Sequence, residues 1–197
     1  MKNIKKSDYS YHRWIWFAYS YLTLVKIGLE KMQIEIDDPS NINNIENYFA
    51  FRKKYLFIPI IYNLKHSLEI ILKGLHIQAN NDYIQTHDIM INKKALKLIV
   101  SRSSDKNTLN DLDKIVDKYY KIEFFNGNLN KKIKISDKSN DMFRFPENSA
   151  SCFLDSECFG TFNKVEINSF IKELKEDANS LSKLLMTLKN DVGSSKM

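Results

Sequence analysis

Residue types that can move a proton or hold an anion recur at helical spacing in the middle of the chain: His66, Glu69 and Lys73, with His87 shortly after. Positions three and four apart on a helix are neighbours, so the first three share one face, with Asn63 a turn before them and His76 a turn after. An imidazole exchanges a proton near neutral pH, and an ammonium offsets charge developing on a phosphoryl oxygen. These types together could cleave RNA by general acid–base chemistry, or grip a phosphate-bearing ligand. The same spacing has a plainer use. Glu69 and Lys73 stand four apart, as in an ordinary helix ion pair. A histidine at a helix-packing seam is more often a hydrogen-bonded structural group. His87 sits between Thr86 and Asp88, where a helix starts and side chains engage exposed backbone groups. Both uses stay open on the residue types alone.

The element that must position these groups is the stretch Tyr55 to Ile77. Ile61, Leu64, Leu68, Ile71, Leu72 and Leu75 repeat at the helical period and fall on one face. Pro59 fits as a first-turn residue or as a kink. Asn63, His66, Glu69, Lys73 and His76 occupy an arc of about 140° on the opposite face. Ile70, Ile77 and Tyr62 lie in or beside that arc, which is unusual for a solvated face. The helix is therefore expected to be covered on most sides, with a polar seam facing a groove or a second subunit.

The order Pro59-x-x-Tyr62-x-x-x-His66-x-x-Glu69-x-x-x-Lys73-x-Leu75, followed by Tyr83, Thr86-His87-Asp88 and Phe143-Arg144-Phe145-Pro146, resembles the HEPN superfamily of helical nucleotide- and RNA-associated domains. The resemblance implies binding of RNA or a nucleotide, or of a partner protein such as a nucleotidyltransferase or nuclease, in prokaryotic anti-phage defence or a toxin–antitoxin system. It also implies a homodimer. Many members are metal-independent RNases whose signature is an arginine followed four to six residues later by a histidine. Here Arg13 is preceded by His12, Arg52 has its next histidine fourteen positions on at His66, and Arg102 and Arg144 have none after them. The signature is absent. The leading expectation is a HEPN-like binding module without the usual catalytic pair. An RNase with an atypical site at His66, Glu69, Lys73 and His87, and a structural homodimer or assembly subunit, are the alternatives. The expected ligand contacts are Asn63, His66, Lys73 and Arg144. Arg144, between two phenylalanines, could hold phosphate, stack on a base, or fasten a loop. Lys93-Lys94 and Lys131-Lys132 are weaker phosphate candidates, more in keeping with solvated surface.

Composition narrows little. The 197 residues are 43% hydrophobic and 27% charged, as in ordinary soluble domains. Thirty Lys and Arg against 24 Asp and Glu leave +6, compatible with nucleic acid, yet only four of the thirty are arginine. Cys152 and Cys158 have no companions at metal-ligand spacing. They read as free thiols of a reducing, cytoplasmic setting, and neither a metal nor a cofactor is expected.

Five glycines and three prolines favour long helices. Ser7 or Asp8 can cap a first helix running to about Gln33. Its apolar stretch from Trp14 to Val25 is too short for a bilayer, which needs about 20 residues, and it reads as a buried helix. Its aromatic crowding suits core packing or a subunit interface. A polar connection over 34–46 leads to a helix resuming near Ile45. After a turn at 78–85, Thr86 caps a third helix, with Asp88 in its first turn, ending near Ser101. Leu109, Leu112, Ile115, Val116 and Tyr119 form the stripe of a fourth. Residues 123–164 read as an irregular insertion with a hairpin at Asn126-Gly127. A last helix begins near Val165, and 190–197 fray. The expected fold is all-α: one domain, an up-and-down bundle of four or five long helices with that insertion before the last.

Overall fold

The computed structural model describes residues 11–38, 45–80, 85–102, 106–120 and 164–193, and of these all but 38 and 85–88 are helical. Among the described residues five helices follow one another: α1 (Tyr11–Asp37), α2 (Ile45–Asn80), α3 (Ile89–Arg102), α4 (Lys106–Tyr120) and α5 (Lys164–Gly193). The all-α expectation holds. Three of the five are long, at 27, 36 and 30 residues. The other two, α3 and α4, are shorter, at 14 and 15.

α2 is the central element because its apolar positions face several neighbours at once. Ile61, Leu64, Leu68, Ile71, Leu72 and Leu75 are fully buried, and so, nearly, are Ile70 and Ile77 on the polar side. Coverage on most sides is what two isoleucines among charges implied. Pro59 lies inside α2, not in its first turn. A proline there removes a ladder hydrogen bond, and its ring is on the exposed side of the helix.

α1 packs antiparallel on α2, as two glycines make plain. A Cβ added to Gly28 would stand 2.7 Å from Ile60 Cγ1, and one added to Gly74 would stand 3.1 Å from the Trp14 Cβ. The bare backbone at each site lets the other helix approach closely. α5 also runs antiparallel to α1: Gln33 reaches Asn168 at 3.4 Å, while His12 and Ile15 lie near Leu185 at the other end. Ile171, Leu174, Ala178, Leu181 and Leu185 supply its buried seam. α3 and α4 close the remaining side of α2, and one hydrophobic cluster draws on all five helices.

Three details depart from expectation. α1 continues past Gln33 to Asp37, and the Asp38 N–H still bonds the Ile34 carbonyl at 3.1 Å. The cap of α3 is Asp88 itself, whose Oδ1 accepts from the backbone N–H of Met90 (2.8 Å) and Ile91 (3.4 Å). Thr86 instead accepts from the Asp88 N–H at 3.1 Å, locking the turn ahead of the helix. α5 keeps its helical form to Gly193, into the stretch expected to fray. The insertion at 123–164 up to Lys164, its hairpin, Arg144, Lys131-Lys132, both cysteines, Tyr83 and the final four residues lie outside the described residues. Among the described residues no helix is long and apolar enough to cross a membrane.

Candidate functional site

The four central candidates do converge, and Glu69 is their hub. Its carboxylate is 2% exposed, on the side of α2 that faces the start of α3. Oε1 accepts from Lys73 Nζ at 2.6 Å and lies 2.8 Å from His87 Nδ1; Oε2 stands 3.7 Å from His66 Nδ1. A carboxylate this deep persists only if paired. Burial alone pushes its pKa up, but the approach of His66 and Lys73 and the charges of Lys73 and His87 outweigh that, so it falls below the usual glutamate value. Glu69 is therefore ionised at neutral pH, with Oε1 accepting from Lys73 and facing His87.

Each partner is held by a different element. Lys73 comes from the next turn of α2 and is only 5% exposed, so its charge is spent on Glu69. His87 comes from the turn before α3. There the Thr86–Asp88 contact fixes the backbone, and Asn92 Nδ2 donates to the Thr86 carbonyl at 3.2 Å. Because the ionised Glu69 accepts, Nδ1 of His87 carries a proton, which leaves Nε2 as the second ring nitrogen of a side chain 58% exposed. His66 lies between two rings: Tyr62 stacked at 5.6 Å and 10°, and Tyr21 of α1 edge-on at 4.6 Å and 88°. Asn63 is half-buried on the same helix. His76 belongs to a separate pair one turn on, where its Nδ1 is 3.1 Å from Asn80 Nδ2.

The arrangement can orient imidazoles. A buried carboxylate fixes the tautomer of one exposed histidine, and aromatic packing fixes the plane of another. It does not offer Lys73 to a ligand. Nor does it offer Lys93, one of the weaker phosphate candidates, which is buried and clamped to Asp113 (2.9 Å) and Asp117 of α4. Lys94, its neighbour, is exposed.

Sequence reasoning missed the ion pairs that join helices. Lys118 of α4 meets Asp177 at 2.6 Å and Glu173 at 2.5 Å on α5, and the Tyr119 hydroxyl donates to the same Asp177 at 2.6 Å. Burial, reinforced by the two carboxylates, holds the Tyr119 phenol well above its ordinary pKa. The Tyr120 hydroxyl donates to the Lys65 carbonyl at 2.6 Å, and the buried Lys65 ammonium sits 4.6 Å from the centre of the Tyr120 ring. No local spacing signals such pairs, since the partners lie on different helices. A pocket of about 180 Å³ between α1 and α5 is lined by His12, Ile15, Trp16, Tyr19, Leu185 and Met186; it is smaller than the ~300 Å³ and upward typical of small-molecule sites. Among the described residues no three His, Cys, Asp or Glu side chains are placed to hold a metal ion.

No family model matches the chain, and no curated protein or solved structure matches it either.

Proposed function

We propose that this chain is a HEPN-like module that binds a phosphate-bearing ligand, RNA or a nucleotide, at the edge between α2 and α3. The observation that carries the reading is the buried Glu69 carboxylate 2.8 Å from Nδ1 of the exposed His87. That contact orients the exposed imidazole through Nδ1 and leaves Nε2 for a ligand, and His66 stands 3.7 Å from the other oxygen of the same carboxylate. In its imidazolium form, a histidine held this way donates Nε2–H to a phosphate oxygen at little further ordering cost. The net charge of +6 favours a polyanion. The resemblance supplies the setting, prokaryotic defence or a toxin–antitoxin pair, with a nucleotidyltransferase or nuclease as the kind of protein partner. Lys73 is withdrawn from the ligand contacts and becomes a positioning residue for Glu69.

The test is fluorescence titration of a short single-stranded RNA, and separately of ATP, across a salt series. Affinity that falls with salt and is lost in His87→Ala, with the melting temperature unchanged, supports the reading. Affinity indifferent to His87→Ala and His66→Ala would remove the site.

A second reading, metal-independent RNA cleavage, draws on the same observation. Two histidines flanking one carboxylate are the parts of a general acid–base pair. The absent Arg-to-His signature places it second. RNA cleavage in excess EDTA that disappears in His87→Gln would promote it.

A further inference from the structure

The aromatic first helix does not use all its rings in the core. α1 carries two stripes, each with the alternating four–three spacing of a helix-packing seam and offset by two positions. One, from Tyr11 through Ile15, Ala18 and onward to Ile36, is buried at every step and faces α2 and α5. The other starts at Arg13, ends at Asp38, and is exposed at every step. At 100° per residue an offset of two places the stripes on nearly opposite sides of the helix. The exposed one is not a polar surface: Phe17 is 63% exposed and Ile34 65%, with Leu24 and Ile27 between them and Trp16 alongside. Its small polar member, Ser20, turns its hydroxyl back to the Trp16 carbonyl at 3.0 Å, so it brings no unmet donor to a contact.

We propose that a second copy of this chain docks on this stripe, α1 against α1, antiparallel about a two-fold axis. The argument is self-complementarity. In an antiparallel pair each flank of one helix meets the same flank of the other. Here the stripe, read in reverse, fits itself. One register sets Phe17 against Ile34, Leu24 against Ile27, and Ser20 against Lys31, with Arg13 of one copy beside Asp38 of the other at both ends. The small Ser20 leaves room for the Lys31 stem, whose ammonium already turns to Glu35 of its own helix at 3.5 Å. Parallel pairing would set Arg13 against Arg13 and Asp38 against Asp38. An isologous contact of this kind closes on itself and leaves no free seam. An anionic membrane fits less well, since Glu30 and Asp37 stand exposed along the same helix and Asp38 just beyond its end. The α2–α3 edge is separate from the stripe, so the proposal stands or falls independently of the ligand site.

Sedimentation equilibrium of the full chain at micromolar concentration tests it. A dimer is expected. Ile27→Glu should give a monomer with unchanged helical circular dichroism, since the side chain is exposed. Arg13→Asp and Asp38→Arg should each weaken dimerisation by about tenfold, each breaking two symmetry-related pairs, and the double variant should recover it. A monomeric wild type, or a dimer that survives Ile27→Glu, would overturn the docking face. A dimer sensitive to Ile27→Glu whose double reversal fails to recover would overturn the antiparallel register.

Discussion

Glu69 on α2 and His87 at the threshold of α3 sit 2.8 Å apart across eighteen residues of sequence, so one carboxylate oxygen joins an exposed member of the site to an inward one. Lys73 is the inward member. With both Glu69 and Lys73 nearly buried, neither is tolerable alone. Glu69→Leu should destabilise the fold by about 3–5 kcal/mol, because it strands the Lys73 ammonium. Glu69→Leu with Lys73→Met should cost much less than the two single changes added together. Urea denaturation of the four proteins of this cycle checks it; additivity would mean the pair is not coupled.

Acid sensitivity follows from the same carboxylate. The Glu69 pKa is lowered in the folded chain, so the unfolded chain takes up its proton first as pH falls. The stability Glu69 contributes is fully present above the unfolded value, about 4.3, and is lost as pH falls through the lower folded value. Stability measured from pH 7 to pH 3 should drop more steeply for the wild type than for the Glu69→Leu/Lys73→Met pair. Equal slopes would leave the acid transition to other carboxylates.

The alkaline side belongs to Tyr119. Its phenol is held above its ordinary pKa by burial and by Asp177, so above about pH 10 the unfolded chain loses that proton while the folded chain keeps it. Stability then falls as pH rises. Tyr119→Phe should cost about 1–3 kcal/mol at pH 7 through the lost bond to Asp177, and its stability should change less between pH 9 and 11. Paired urea titrations at pH 7, 9 and 11 read both numbers.

How much of this was legible in the sequence depends on distance along the chain. Period alone places Ile61, Leu64, Leu68 and Leu75 on a buried face, and all four are buried; periodicity reports burial because one helix face meets one core. The Glu69–Lys73 pair was equally legible, being four apart. Lys93 was not. It reads as surface next to Lys94, and only the packing of α3 on α4 reveals Asp113 and Asp117 as its partners. The aromatics of α1 failed for a different reason. Hydrophobic type marks a residue as able to be buried without saying by what, so Trp14 and Tyr21, packed on the core, look the same in sequence as Trp16 and Phe17, which are exposed. Two interleaved stripes of one period also blur into a single apolar run.

Gly28 tests the α1–α2 approach directly. Alanine in place of glycine inside a helix gains about 1 kcal/mol of backbone propensity, and at an open position Gly28→Ala would stabilise. Here the new methyl would stand 2.7 Å from Ile60 Cγ1 and 3.0 Å from its Cδ1. Ile60 is buried and β-branched, so its χ1 has little freedom to yield. Overpacking of this kind costs about 1–3 kcal/mol, enough to cancel the propensity gain and exceed it. Gly28→Ala should therefore lower the melting temperature. Ile60→Val, which deletes the Cδ1 methyl, should reduce that penalty when combined with it, though Ile60→Val alone costs about 0.5–1.5 kcal/mol. Thermal melts of the wild type, both single variants and the pair give the coupling. A Gly28→Ala protein that melts higher than the wild type would mean that α1 and α2 do not meet this closely.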